Sequence, residues 1–199
     1  MPVEETPAHQ RSTTYSSYLR IPELLALQSP REDDPEHDEL LFIVIHQTYE
    51  LWFKTLLHEF GRAGSMLRGG HTHQALASLA RVRTIMKTLV SQVDILETMT
   101  PLQFGAFRGR LEAASGFQSA QFRELEIVLG RRDRKVLASF PQDSPEHRRL
   151  LDAMARSSVW IDTLAYLSTR GHQVPRHVVD SDPHNAYVPN EVVQSIVLD

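Results

Sequence analysis

The sequence predicts an all-α fold, a helical bundle, and three observations lead to that prediction. Apolar residues recur at alternating spacings of three and four along the longest segments. Ser, Thr or Asp followed by Pro marks several helix starts, and Gly marks several helix ends. No alternating apolar and polar pattern with hairpin turns competes in the 199 residues. With 41% hydrophobic residues, the chain has enough apolar surface for the core of one domain.

The sequence predicts little regular structure for the N-terminal part of the chain. Residues 1–14 contain acids and a proline without an apolar pattern, so we expect a mobile arm, followed by a helical domain over residues 15–199. A short apolar segment from Leu19 to Leu27 opens this domain and ends before Pro30.

Two long helices are predicted next. Asp34 suits the N-cap and Pro35 the first helical position of a helix that extends to about residue 60 and ends in the Gly61 to Gly70 region. A second helix fits residues 73–98, because its apolar residues form a seam for packing along another helix. The seam consists of Leu79, Val82, Met86, Leu89, Val93 and Leu96.

Four shorter helices follow. Thr100 and Gln103 form a capping box with Pro101 at the first helical position, which predicts a helix to about Glu112. Gly116 interrupts the pattern. The same start and stop signals predict helices over residues 119–129, 144–156 and 159–170, the last closed by Gly171.

The last residues begin another apolar segment with Val192, Val193, Ile196 and Val197. A helix of this length without a cap is marginal unless another element packs on it. We therefore expect the helical domain to be incomplete at its C-terminus.

Composition excludes several classes of function. The net charge of −4, from 21 basic and 25 acidic residues, offers no basic face for nucleic acid. The chain contains no cysteine, which excludes disulfides, thiolate metal sites and cysteine nucleophiles. Neither a signal peptide nor an apolar run long enough to span a membrane is present, so we expect a cytoplasmic protein without a membrane partner.

One histidine, His46, lies in the most hydrophobic part of the first long helix. At helical spacing it shares a face with Phe42, Tyr49 and Phe53. A polar ring in that position must be hydrogen-bonded or must face a cavity. Two interpretations stay open at this point: a core histidine bonded to a backbone carbonyl or an acid, and one wall of a pocket for a flat ligand.

The spacing of the other polar residues gives little support to a metal centre or a hydrolase. Neither Glu-x-x-His nor His-Glu-x-x-His is present, and no Gly-x-Ser-x-Gly follows a strand. His71 and His73 lie in a turn flanked by glycine and favour a solvated loop.

A second candidate for ligand binding is Arg108, on the short helix that begins at Pro101. Taken alone it favours a surface arginine whose aliphatic part covers apolar area, although its planar guanidinium also suits a clamp on a carboxylate. Taken alone, Tyr15 and Tyr18 favour a structural role in which their side chains anchor the N-terminal arm.

Four segments occur together in one order: YSSYL, HDELLFIVIHQTYELWFK, ETMTPLQFGAFRGRLEAASGFQSAQFRELE and LGRRDRKVL. In this order and spacing, the chain resembles the tryptophan 2,3-dioxygenase family from about Tyr15 to about Val197. The resemblance implies an all-helical haem enzyme. Its reaction inserts both atoms of O₂ across the bond between the second and third indole carbons of L-tryptophan and gives N-formylkynurenine, the first step of the kynurenine pathway.

The resemblance also implies roles for residues of the first long helix. His46 would be the distal histidine, over the haem face where oxygen binds, with a hydrogen bond to the indole nitrogen of the substrate. Phe42 would line the same pocket. A wall between these two side chains would be formed by Ile43, Val44 and Ile45.

Further roles fall on later and earlier segments. Arg108 would pair with the carboxylate of tryptophan, and Phe104 stands where some members carry a tyrosine whose hydroxyl also reaches that carboxylate. Ser115 would lie beside the haem. Tyr15 and Tyr18 would be contributed by an adjacent subunit of a homotetramer.

The cofactor implied by the resemblance is haem b, but its axial ligand is not found in this chain. The family carries the proximal histidine, and a Gly/Thr-rich loop that covers the substrate, in a segment beyond this sequence. His172, His177 and His184 do not stand in that context. Tyr49 also departs from the family, which commonly has a small polar residue there, and it would crowd the pocket if it turned inward.

Three interpretations of function follow. The favoured one is a haem-dependent tryptophan 2,3-dioxygenase in truncated form. The second is a non-catalytic short paralogue that binds an aromatic amino acid, or haem with a partner chain. The third is a helical interaction protein that uses the bundle for assembly.

Overall fold

The computed structural model describes residues 13–30, 36–111 and 118–174. The described residues contain α- and 3-10 helices and no strand, which confirms the predicted all-α class. The predicted arm lies outside the described residues except for Thr13 and Thr14, and so does the predicted C-terminal apolar segment.

The first two helices are short and lie outside the core. Helix α1 is Tyr15–Leu19 and helix α2 is Ile21–Leu25. Thr14 and Ser17 form a capping box at the start of α1, and Arg20 joins the two helices with a positive φ of 53°. Neither helix contains a buried residue, so packing contributes little to holding them on the rest of the molecule.

Two long antiparallel helices form the centre of the molecule, α3 (His37–Arg68) and α4 (Thr72–Leu96). The predicted cap, Asp34 and Pro35, lies outside the described residues, and Glu36 is the N-cap observed. The helix ends at Arg68 with Gly69 as its C-cap, within the expected Gly61 to Gly70 region although beyond residue 60. The helix continues through Gly64, and the absence of a side chain there lets Asp162 of a later helix approach closely.

Helix α5 (Pro101–Arg108) begins at the predicted capping box. The amide of Gln103 donates to the hydroxyl of Thr100, and the amide of Thr100 donates to Oε1 of Gln103. The predicted end near Glu112 was too late, because a 3-10 turn, Gly109–Leu111, replaces the α-helix after Arg108.

The last three α-helices begin at serine caps, as the sequence predicts. They are α6 (Ala120–Leu129), α7 (Pro145–Ala155) and α8 (Val159–Thr169), capped by Ser119, Ser144 and Ser158. A 3-10 helix, Arg134–Ser139, lies between α6 and α7 and was not predicted.

The main core lies where α3, α4 and α6 meet. Its buried residues are Leu56, Phe60, Val82, Ile85, Leu89 and Leu125. The predicted α4 seam is partly wrong, because Met86 and Val93 are 44% and 40% exposed while Ile85 is buried. A second cluster between α6 and α7 contains Ile127, Phe140, Leu150 and Ala153.

Buried carboxylates connect the helices around this core. Glu59 of α3 accepts from Arg81 of α4 at 2.5 Å, and Asp162 of α8 accepts from Arg68 of α3. Glu124 of α6 accepts from two arginines near or beyond the ends of α7, Arg149 and Arg156. Removing one partner of such a pair strongly destabilises the folded protein, because the remaining buried charge has no opposite charge beside it.

No helix formed by the described residues is both long enough and apolar enough to cross a lipid bilayer.

Candidate functional site

His46 lies in the N-terminal half of α3 and is half-buried. Its Nδ1 is 2.8 Å from the carbonyl oxygen of Phe42, one helical turn earlier. A carbonyl oxygen only accepts hydrogen bonds, so Nδ1 carries the proton and Nε2 of the neutral ring is an acceptor. The hydrogen bond to a backbone carbonyl in the first interpretation is therefore observed, although the ring is half-buried and not part of the core, and its second nitrogen can accept from a donor on a ligand.

An aromatic cluster surrounds this histidine. The ring centroids of Phe42 and His46 are 4.0 Å apart, and Phe42 lies 5.8 Å from Phe104 and 5.5 Å from Phe107. Phe107 is 0% exposed, whereas Phe42 and Phe104 are only half-buried. Phe107 therefore forms the base of the cluster, and the other two rings present apolar surface that a flat ligand can contact.

Arg108 is the last residue of α5 and is exposed. Its guanidinium carbon lies over the ring of Phe104, 5.3 Å from the centroid. A guanidinium stacked on an aromatic face keeps its N–H groups at the edge of the plane, where they can donate to a carboxylate.

The structure thus brings four of the predicted site residues together: Phe42, His46, Phe104 and Arg108. The imidazole is connected to the guanidinium through the two phenyl rings. The distances between ring centroids are 4.0 Å from His46 to Phe42 and 5.8 Å from Phe42 to Phe104, and the guanidinium carbon of Arg108 lies 5.3 Å from the centroid of Phe104. His46 and Arg108 therefore do not lie on opposite outer surfaces. The two rings occupy the space directly between them, so a ligand that reaches both groups must lie along the exposed edge of the rings.

The three residues expected to form a wall point in different directions. Successive residues of an α-helix are about 100° apart around its axis. Ile45 is 5% exposed and belongs to the core, Val44 is 41% exposed, and Ile43 is half-buried. Of the three, Ile43 is nearest in helical angle to His46, and the role of all three in substrate binding stays a prediction.

The N-terminal tyrosines do not contact the cluster in this chain. Tyr15 and Tyr18 are 79% and 76% exposed. The segment that carries them is attached beside His46, because the side-chain amide of Gln47 donates to the carbonyl of Leu27 at 2.9 Å and accepts from Gln28. Ser115, His177 and His184 lie outside the described residues.

The remaining described histidines favour no metal centre. His71 is the N-cap of α4 and His73 lies in the first turn of that helix, not in the loop that was expected; both are exposed, as is His172 beyond α8. Among the described residues, no group of three or more His, Cys, Asp or Glu side chains is arranged to hold a metal ion. The cleft lined by His71, His73 and His172 is closed on one side by a 2.5 Å hydrogen bond between the hydroxyls of Thr72 and Tyr166.

Sequence reasoning missed two residues of this region, Phe107 and Gln47, and named a third, Tyr49, without its partner. Phe107 was not assigned to the site, although its position three residues after Phe104 indicates a shared helical face. The attachment through Gln47 had no signal in the sequence. Tyr49 was expected to crowd the pocket if it turned inward, but its hydroxyl donates to the carbonyl of Leu89 on α4 at 2.8 Å.

Comparison with known proteins gives a consistent result. A family model described as tryptophan 2,3-dioxygenase matches residues 4–155. A tryptophan 2,3-dioxygenase of Anaeromyxobacter sp. (strain K) is 54% identical over 192 residues, which cover 96% of this chain and 71% of that protein. One from Herpetosiphon aurantiacus is 50% identical, with 94% and 72% covered, and one from Xanthomonas euvesicatoria pv. vesicatoria is 37% identical, with 92% and 61% covered.

Proposed function

The chain belongs to the tryptophan 2,3-dioxygenase family, and we propose that it binds L-tryptophan along the Phe42–Phe104 rings for the haem-dependent dioxygenase reaction. The reaction adds both atoms of O₂ across the bond between the second and third indole carbons and yields N-formylkynurenine. We place the enzyme in the cytoplasm. The observation that carries the proposal is the continuous contact from the imidazole of His46 to the guanidinium of Arg108 through two half-buried phenyl rings.

The two ends of this arrangement match the two ends of tryptophan. Nε2 of His46 accepts a hydrogen bond, and the indole ring has one N–H donor. At the other end, the planar fork of Arg108 suits the carboxylate, and Phe104 has no hydroxyl with which to share that task. The phenyl rings supply the apolar contact for the indole between them. These groups orient the substrate, which lowers the entropy that must be lost in the reaction itself.

The side chains of Phe42 and His46 fit one side of a haem pocket. Haem b would supply the iron chemistry that activates O₂. His46 and Phe42 would lie on the side where substrate binds, and Nε2 of His46 is free to accept a proton there. His172 does not suit the opposite side, because it lies at the far end of α3, roughly 30 Å along the helix axis from His46.

A second copy of the chain completes the proposed site. Tyr15 and Tyr18 project from helices without buried residues, and their 79% and 76% exposure leaves the rings available to a neighbour. We propose that they contact the substrate of an adjacent subunit in a homotetramer. Gln47 would then hold the base of this segment one residue from the His46 of its own chain.

Isothermal titration calorimetry with L-tryptophan tests the proposal on the full chain. Arg108→Ala should weaken binding by about 1.5–3 kcal/mol, the usual range for hydrogen bonds to a charged group, or roughly 10- to 150-fold. Arg148→Ala is the matched control, because this exposed arginine on α7 makes only a long hydrogen bond to a backbone carbonyl. Binding that is equal in the Arg108→Ala variant and in the unsubstituted chain would refute the assignment.

Titration with hemin distinguishes the three interpretations of the sequence. A ferrous spectrum at one haem per chain that tryptophan perturbs supports the dioxygenase. Tryptophan binding that depends on Arg108 without haem binding supports the non-catalytic paralogue. Binding of neither ligand leaves the helical interaction protein.

A further inference from the structure

The hydroxyl of Tyr49 connects the two central helices beside the proposed site. Tyr49 lies on α3, three residues after His46, and donates to the backbone carbonyl of Leu89 on α4 at 2.8 Å. Leu89 is 7% exposed and belongs to the main core, and the ring of Tyr49 packs against that core. Burial raises the pKa of Tyr49, so the phenol keeps its proton as a donor at neutral pH.

The C-terminal end of α4 is rigidly joined to the helix that carries Arg108. Helix α4 ends at Leu96, and the turn that follows is closed by bonds from the Glu97 amide to the Val93 carbonyl and from the Met99 amide to the Leu96 carbonyl. The capping box at Thr100 then starts α5 after a turn of four residues, 97–100. An axial displacement of α4 would therefore carry α5 and its arginine with it.

The distance between the two ends of the site therefore depends on the position of α3 on α4, together with the direct packing of Phe104 and Phe107 of α5 on Phe42 of α3. His46 belongs to α3, whereas Phe104 and Arg108 follow α4. Most of the α3 to α4 contact is apolar, and apolar burial has no preferred direction along the helix axis. A hydrogen bond fixes that position because its geometry tolerates only a few tenths of an ångström.

Among the described residues, the hydrogen bonds Tyr49–Leu89 and Arg81–Glu59 join α3 and α4 and lie at different distances from the site. The pair Arg81 and Glu59 lies thirteen residues from His46, which corresponds to roughly 20 Å along the helix. Tyr49 lies about 4.5 Å from His46 along the same axis. Tyr49 is thus the polar contact that acts on the part of α3 that carries the imidazole.

We propose that Tyr49 is a positioning residue for tryptophan binding, whose hydroxyl fixes α3 on α4 and thereby the separation between His46 and Arg108. This inference rests on the proposed function. It predicts that Tyr49 matters for a ligand that contacts both ends of the site and not for a ligand that contacts one. L-Tryptophan contacts both ends, whereas tryptamine has the indole ring and lacks the carboxylate.

The experiment compares binding of L-tryptophan and tryptamine to Tyr49→Phe. This change removes one hydroxyl and keeps the ring, so circular dichroism should show an unchanged helical fold. L-Tryptophan should bind roughly three- to tenfold more weakly, the range expected for one net hydrogen bond, and tryptamine should bind as before. Tyr166→Phe is the matched control, because its hydroxyl bonds Thr72 at the opposite end of α4.

A double-substitution cycle adds a second readout. In the Arg108→Ala background, Tyr49→Phe should have no further effect on L-tryptophan, because the carboxylate end is already lost. An equal loss for both ligands would show a general structural role and overturn the inference, as would no loss for either. The proposed function stands under either of those outcomes, provided that the unsubstituted chain binds tryptophan and that Arg108→Ala weakens this binding. If the unsubstituted chain binds no tryptophan, both fail together.

Discussion

Two glycines one turn apart in α3 should respond with opposite signs to the same substitution. At Gly61, an added Cβ meets nothing within 4 Å. At Gly64, it would lie 2.6 Å from Oδ2 of Asp162 and 3.3 Å from Nη1 of Arg68. Both positions are interior to the helix, so alanine reduces the conformational freedom of the unfolded chain equally at both.

The magnitudes follow from these distances. Gly61→Ala should raise the free energy of unfolding by about 0.5–1 kcal/mol, the difference between the two residues inside a helix. Gly64→Ala has the same gain, but Asp162 is buried and paired with Arg68, and moving it adds an overpacking cost of about 1–3 kcal/mol. The net effect at Gly64 should be a loss of up to about 2.5 kcal/mol.

Thermal unfolding followed by far-ultraviolet circular dichroism measures both variants. For a chain of this size, about 1 kcal/mol corresponds to about 2–4 °C in Tm. The Tm of Gly61→Ala should therefore rise by a few degrees, and that of Gly64→Ala should fall. In an Asp162→Ala background, which leaves room for the methyl group, the penalty at Gly64 should disappear. A Gly64→Ala variant as stable as Gly61→Ala would refute the reasoning.

Three further outcomes are expected. Thr100→Ala removes the cap of α5 and should lower stability by about 0.5–2 kcal/mol in urea titrations, together with tryptophan affinity, since α5 carries the guanidinium. Burial alone would raise the pKa of Glu59, but the hydrogen bond from Arg81 lowers this pKa below the ordinary 4.5. The stability that Glu59 contributes is therefore present above pH 4.5 and is lost as the pH falls through the lowered pKa. The difference in stability between the unsubstituted chain and Glu59→Gln should shrink in acid. Replacing Tyr15 and Tyr18 by alanine should change stability by less than about 0.5 kcal/mol because both are exposed, yet it should weaken tryptophan binding in the oligomer measured by calorimetry.

Local sequence signals predicted most helix starts correctly. Ser119, Ser144, Ser158 and Thr100 each accept a hydrogen bond from an amide three residues later, and that interaction needs only neighbouring residues. The all-α class followed from the same local patterns. The candidate pair His46 and Arg108 came from the resemblance of whole segments to a family, because neither residue is distinctive alone.

Helix ends and side-chain directions depended on distant residues. Gly64 lies within α3 and has no room for a side chain, because Asp162, nearly a hundred positions later, occupies the space beside it. Tyr49 turns towards α4 because the carbonyl of Leu89 is there to accept its proton.

The sequence by itself determined the class of fold, most helix starts and the candidate residues of the proposed site. Only the tertiary structure decided which nitrogen of His46 is free, which phenylalanine lies beneath the site, and how α3 is held on α4. The physical reason is the range of the interactions. Caps and helical periodicity act within a few residues, whereas packing and interhelical hydrogen bonds join residues that only the folded chain brings together.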